Sequence, residues 1–226
     1  MKNKKRFFYF ALLILIFFVF YWICLVSIEK KLSLDASVIS RNLELIAINN
    51  RDMEGVLSAA ELDIRLGLIK NDLSQVSKLP ELKFGTGASQ LNQLVSQSAK
   101  TVSEASNEAR KLSWVTDEAF LVNNYAEAVL SIFSRLPKLY KAFDEYEAIR
   151  SAQAVSNTSR SDYATNKDYY DKIDRETYNL QLKALLDAKM ILNDIGRDLK
   201  KIRGLTYQMR WIPPSDRLDI NYLNYF

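Results

Sequence analysis

Residues 7–28 form one apolar run, from Phe7 to Ile28, which Ser27 alone interrupts and which Glu29, Lys30 and Lys31 end. As a helix these 22 residues are about 33 Å long, against about 30 Å for the hydrocarbon core of a bilayer. A stretch this long without a charge predicts a transmembrane helix rather than a buried core helix. Phe7 and Ile28 bound it. Tyr9 lies near one end and Tyr21 and Trp22 nearer the other, where aromatic rings suit the headgroup zones.

Beyond the run the pattern changes to helical steps of three and four. A first stretch covers residues 35–78, with Val38, Leu45, Ile46, Met53, Val56, Leu57, Ile64, Leu68 and Val76 on its apolar stripe. Pro80 and Phe84-Gly85-Thr86-Gly87 predict a break. A second stretch covers 89–155, from Leu91 through Val102, Ala109, Val129 and Phe133 to Tyr146, and Pro137 lies inside it. The stripe continues across Pro137, and no Gly, Asn or Asp adjoins it, so a kink is expected there rather than a reversal. A reversal at Pro137 would add a fourth helix.

The polar residues 156–165 predict a loop, with Thr165 and Asp168 in a capping arrangement. In the last helix, over residues 166–209, Tyr178, Leu185, Leu192 and Leu199 recur every seventh position, as do Ala188, Ile195 and Ile202. Such heptads mark a packing seam, either within the bundle or between copies of the chain in a homo-oligomer. The intramolecular use is the primary expectation.

The fold class expected is all-α: a single N-terminal transmembrane helix followed by an elongated antiparallel three- to four-helix bundle. The divisions are a basic tail at 1–6, an anchor at 7–28, a bundle at 29–209 and an extended aromatic tail at 210–226.

Charge sets the orientation. The chain carries 31 Lys+Arg against 27 Asp+Glu, and Lys2, Lys4, Lys5 and Arg6 hold the whole excess. The positive-inside rule then places the N-terminus in the cytoplasm and the bundle in a periplasmic or extracellular space. A neutral bundle does not suit nucleic acid. No small-x-small cleavage site follows the apolar run, and Cys24 follows the bulky Tyr21, Trp22 and Ile23, so the anchor is expected to stay uncleaved and unlipidated.

The chain has no His and one Cys, which excludes His-based nucleophile activation, His-ligated metals and an internal disulfide. The acids Asp117, Glu118, Asp144, Glu145, Glu147, Asp168, Asp171 and Asp174 are interleaved with Lys and Arg, as on a solvated helix face. No catalytic, cofactor or metal residue is therefore assigned, and a non-enzymatic protein is expected. Arg197, Lys200, Lys201, Arg203 and Arg210 complement the dipole at the end of the last helix.

After Pro213-Pro214 the tail is aromatic, and Trp211, Tyr222, Tyr225 and Phe226 form a candidate docking segment for a protein partner in the envelope. With a kink at Pro137 the chain makes three passes and presents this tail far from the membrane. The function expected is a scaffold or docking subunit for envelope proteins. The alternative is a small-ligand-binding sensory bundle, with polar groups around Trp114, Tyr125 or Arg135.

Overall fold

The computed structural model describes residues 2–70, 87–158 and 165–218. It is all-helical, with one apolar N-terminal segment continuous with a packed bundle. Four helices make it up: α1 (Lys2–Lys70), α2 (Gly87–Leu112), α3 (Asp117–Thr158) and α4 (Lys167–Gln208). A 3-10 turn, Pro214–Asp216, follows.

Helix α1 has 69 residues and no proline, so nothing in its backbone separates the apolar run from the bundle. An 18-residue window within Tyr9–Ser40 has a mean hydropathy of 2.8, and none of it is buried. Burial begins at Glu29 and then follows a heptad, Leu32, Ala36, Ile39, Leu43, Ile46, Asn50, Met53, Leu57, Ala60 and Ile64, widened by the small residues Ser33, Ser37, Ser40 and Ala47. The same steps of three and four run through Val122, Tyr125, Val129, Ile132, Leu136, Leu139, Phe143 and Tyr146 of α3. In α4 they run from Asp174 through Tyr178, Gln181, Leu185, Ala188, Leu192, Ile195, Leu199 and Ile202 to Thr206. In α2 Ser98, Val102, Ala105 and Ala109 keep the same steps. Four such faces turned inward give a four-helix bundle with coiled-coil-like packing. Val38 falls outside this face, two positions beyond Ala36, and is 59% exposed.

Cross-helix bonds fix the chain direction. Lys31 of α1 pairs with Glu108 of α2 at 3.6 Å, and Ser33 donates to Glu118 of α3 at 2.6 Å. Farther from the apolar segment, Lys189 of α4 donates to Glu61 of α1 at 3.0 Å, and Gln181 donates to Gln153 at 3.1 Å. So α1 runs away from the apolar segment, α2 returns, α3 goes out and α4 returns. Neighbours are antiparallel at each connection.

The second stretch of the sequence is thus two helices, and its reversal falls at residues 113–116 rather than at Pro137. Pro137 sits on the exposed side of α3, which continues through it. Buried Leu136 and Leu139 hold the helix to the core on either side. The reversal needs no glycine because side chains and turn amides take the last carbonyls of α2. Ser113 Oγ donates to Arg110 O at 3.0 Å and Trp114 Nε1 to Lys111 O at 2.8 Å. The amides of Val115 and Thr116 donate to Leu112 O at 2.8 and 3.1 Å. Thr116 Oγ1 then accepts the Ala119 amide at 3.1 Å, an N-cap for α3 with Asp117 and Glu118 in the first turn.

The start of α4 also differs from expectation. Its N-cap position is Asn166, with no side-chain cap bond, rather than Thr165. The breaks expected around Pro80 and Gly85 lie outside the described residues. The heptad seam of Tyr178, Leu185, Leu192 and Leu199 is buried inside the chain, so it is not open to a second copy.

Candidate functional site

One group of candidate residues lies at the proximal end of the bundle, beside the apolar segment. Glu118, 8% exposed, organises this end. Its Oε1 accepts Ser33 Oγ at 2.6 Å and the Arg210 amide at 3.0 Å, while Oε2 lies 3.1 Å from the same amide. The Trp211 amide approaches Oε1 at 3.5 Å. One carboxylate therefore joins α1, the first turn of α3 and the segment after α4. These are charge-assisted bonds, the strong class; the one from Ser33 is buried and those from the backbone amides are half-buried.

The segment after α4 accordingly lies at the proximal end, not far from the apolar segment as three passes would require. Within residues 210–218 a 3-10 turn at Pro214–Asp216 interrupts the chain between Pro213 and Arg217. The Met209 amide donates to Leu205 O at 3.1 Å and ends α4, and Pro213 leads into the 3-10 turn. Met209, Ile212 and Leu218 join the core. Trp211 is half-buried, and its indole nitrogen is buried without a hydrogen-bond partner among the described residues. Tyr222, Tyr225 and Phe226 lie outside the described residues, so of the four proposed docking aromatics only Trp211 is placed.

Between this end and the apolar segment lies a cleft of about 530 Å³. Tyr21, Trp22, Leu25 and Val26 form its apolar wall, while Glu29, Asp117, Gln208 and Arg210 supply polar groups. Tyr9, Tyr21, Trp22 and Ile28 are exposed on α1 at 63%, 49%, 69% and 39%. Phe7, Lys2, Lys4, Lys5 and Arg6 belong to the first turns of the same helix.

Trp114, Tyr125 and Arg135 do not meet in one pocket. Trp114 is 84% exposed in the α2–α3 turn. The Tyr125 hydroxyl is buried, 2.9 Å from Ser40 Oγ and 3.0 Å from the Ala36 carbonyl oxygen. Burial pushes this phenol well above its ordinary range, against the opposing bond from Ser40. Arg135 donates to Ser131 and Asp198 and lies 3.7 Å from Asp194, stapling α3 to α4. Each polar group is thus used structurally or turned to solvent.

A second cavity, about 400 Å³, opens between α1 and α4 and is lined by Asn50, Glu54, Leu192, Asn193, Gly196, Arg197 and Lys200. Asn50 is 3% exposed, and its Oδ1 has no hydrogen-bond partner among the described residues. A Cβ on Gly196 would stand 3.7 Å from Asn50 Nδ2, so the missing side chain leaves room there. Sequence reasoning passed over Asn50, although a polar residue on a heptad core position is the signal that marks it. Among the described residues no group of three or more His, Cys, Asp or Glu is arranged to hold a metal ion.

No family model, curated protein or solved structure matches this chain; its functional reading rests on its own residues.

Proposed function

We propose that the chain is a single-pass membrane protein that holds a rigid helical bundle against the outer bilayer surface as a docking subunit for envelope proteins. The observation that carries this reading is the continuity of α1. One helix leads from an apolar segment with no buried residue among those described into a buried heptad, with no proline or loop between them. Such a joint transmits position, because a helix of this kind bends only gently. The basic residues Lys2, Lys4, Lys5 and Arg6 favour a cytoplasmic N-terminus. Arg210 and Trp211 bring the start of the tail to the proximal end, so a partner captured through Tyr222, Tyr225 and Phe226 is one that reaches the membrane surface. The bundle itself supplies no chemistry in this reading, and the protein is non-enzymatic. The test is to compare crosslinked partners of the full chain and of a chain ending at residue 218 in membranes. Loss of partners with an unchanged melting temperature supports docking by the tail; an unchanged partner set removes it.

A second reading is favoured by the cavity at Asn50. Its lining carries both signs of charge around a buried amide oxygen without a partner among the described residues, which suits a small zwitterionic ligand and a sensory role.

A further inference from the structure

We propose that the α2–α3 turn is a second membrane contact, with the Trp114 indole lying in the headgroup zone beside the anchor. This inference rests on the membrane reading of α1. Three observations converge on it.

The first is height. Lys31 and Glu108 pair across α1 and α2. From Glu108 to Leu112, α2 descends four residues toward the apolar segment, about 6 Å, and the same rise along α1 leads from Lys31 to Ser27. The turn that follows Leu112 is therefore level with the end of the apolar run. The cleft agrees, because Val115 and Thr116 line it together with Trp22, Leu25 and Val26.

The second is exposure. Trp114 is 84% exposed, the most exposed large apolar side chain among the described residues. It has no packing role to explain its size. Its N–H already donates to Lys111 O within the turn, so the exposed face is the aromatic one. An indole with its polar edge satisfied and its face unpartnered suits the boundary between hydrocarbon and headgroups.

The third is the flank. Arg110 and Lys111 occupy the last turn of α2 immediately before Trp114. At this height they stand at phosphate level, where cations are favoured. A protein partner could also cover Trp114, but the position of the turn at the end of the apolar run selects the bilayer. Two attachment points would fix the bundle's rotation about α1, which one helix alone leaves open.

The test uses the full-length protein in phosphatidylcholine vesicles and exploits its 3 tryptophans. Trp22→Phe with Trp211→Phe leaves Trp114 as the only indole; Trp114→Phe with Trp211→Phe leaves Trp22. Emission is measured with lipids brominated near the headgroup or near the chain end, and with aqueous iodide. The expected result is blue-shifted Trp114 emission, quenched more by shallow than by deep bromine and protected from iodide. Trp114 emission open to iodide and untouched by bromine overturns the proposal. Trp22 then says how far the failure reaches. If Trp22 is quenched by lipid, only the second contact is lost; if it is not, the membrane reading falls as well.

Discussion

The Glu118 carboxylate accepts the Arg210 backbone amide at 3.0 Å, across 92 residues of sequence. This bond returns the end of α4 to the start of α3. Removing it leaves the Ser33 hydroxyl and the Arg210 amide without their acceptor in a buried place. Glu118→Ala is expected to cost about 1.5–3 kcal/mol, the range for bonds to charged groups, and Glu118→Gln less. Urea unfolding of the two variants checks the order. A loss within about 0.5 kcal/mol for Glu118→Ala, the size of an ordinary surface change, would mean the junction is held by Met209, Ile212 and Leu218 alone.

Two threonines that both precede helices should behave differently. Thr116 caps α3 through Ala119, so Thr116→Ala is expected to cost about 1 kcal/mol. Thr165 stands one residue before the cap position of α4, so Thr165→Ala should change stability by no more than about 0.5 kcal/mol. Thermal melts of both variants decide this, and equal losses would contradict the assigned caps.

These helix ends also show where the sequence is silent. The apolar run and the α4 heptad are legible because burial there depends only on residue type and spacing. The reversal at 113–116 is hard to see because it uses neither Gly nor Pro. Ser113 and Trp114 cap carbonyls from side chains, and the pattern on either side keeps the helical period. The one usable sign is Thr116 followed by Asp117 and Glu118, a helix start inside an apparent helix. Pro137, where a kink is expected, lies within a continuous α3, and its exposed position costs no core contact. Missing the reversal also misplaces the tail, since an even number of passes brings the chain back. The cavity at Asn50 depends on which residue of α4 faces it, and spacing alone does not show that Gly196 does.

The carboxylates of Glu61 and Glu54 should give opposite pH signs. Glu61 is held below the ordinary carboxylate range, chiefly by the hydrogen bond from Lys189; burial opposes this, and Arg65 adds to it. Its contribution is present above the unfolded value of about 4.3 and is lost as pH falls through the lower folded value. Burial raises Glu54, against Lys189 and Lys200, so its ionised form opposes folding near neutrality and that penalty is relieved in acid. Glu61→Gln should therefore lower stability at neutral pH by up to about 1 kcal/mol, and the difference should shrink in acid, below the ordinary carboxylate range. Glu54→Gln should not destabilise at neutral pH. Urea midpoints at neutral pH and in acid test both signs, and the same sign for both would contradict the account.

The Asn50 cavity separates the two functional readings. The buried Asn50 Oδ1 lacks a partner among the described residues, so Asn50→Leu should be neutral or stabilising in the absence of ligand. If the sensory reading holds, free amino acids raise the melting temperature of the native protein, their N-acetyl and amide derivatives do not, and Asn50→Leu abolishes the rise. No response to any of these compounds would leave the docking reading alone.

The central claim is that α1 crosses the membrane and leaves the bundle outside the cytoplasm. The single cysteine makes it directly measurable. Cys24 lies on the exposed apolar face of α1, and Ser151 is exposed on α3 far from the apolar segment. Intact cells expressing either the native chain or a Cys24→Ala, Ser151→Cys variant are treated with a membrane-impermeant maleimide. The account predicts that the variant is labelled before lysis, while Cys24 stays unlabelled until the membrane is dissolved. Labelling of the variant only after lysis, or of native Cys24 by the reagent in intact membranes, would contradict it.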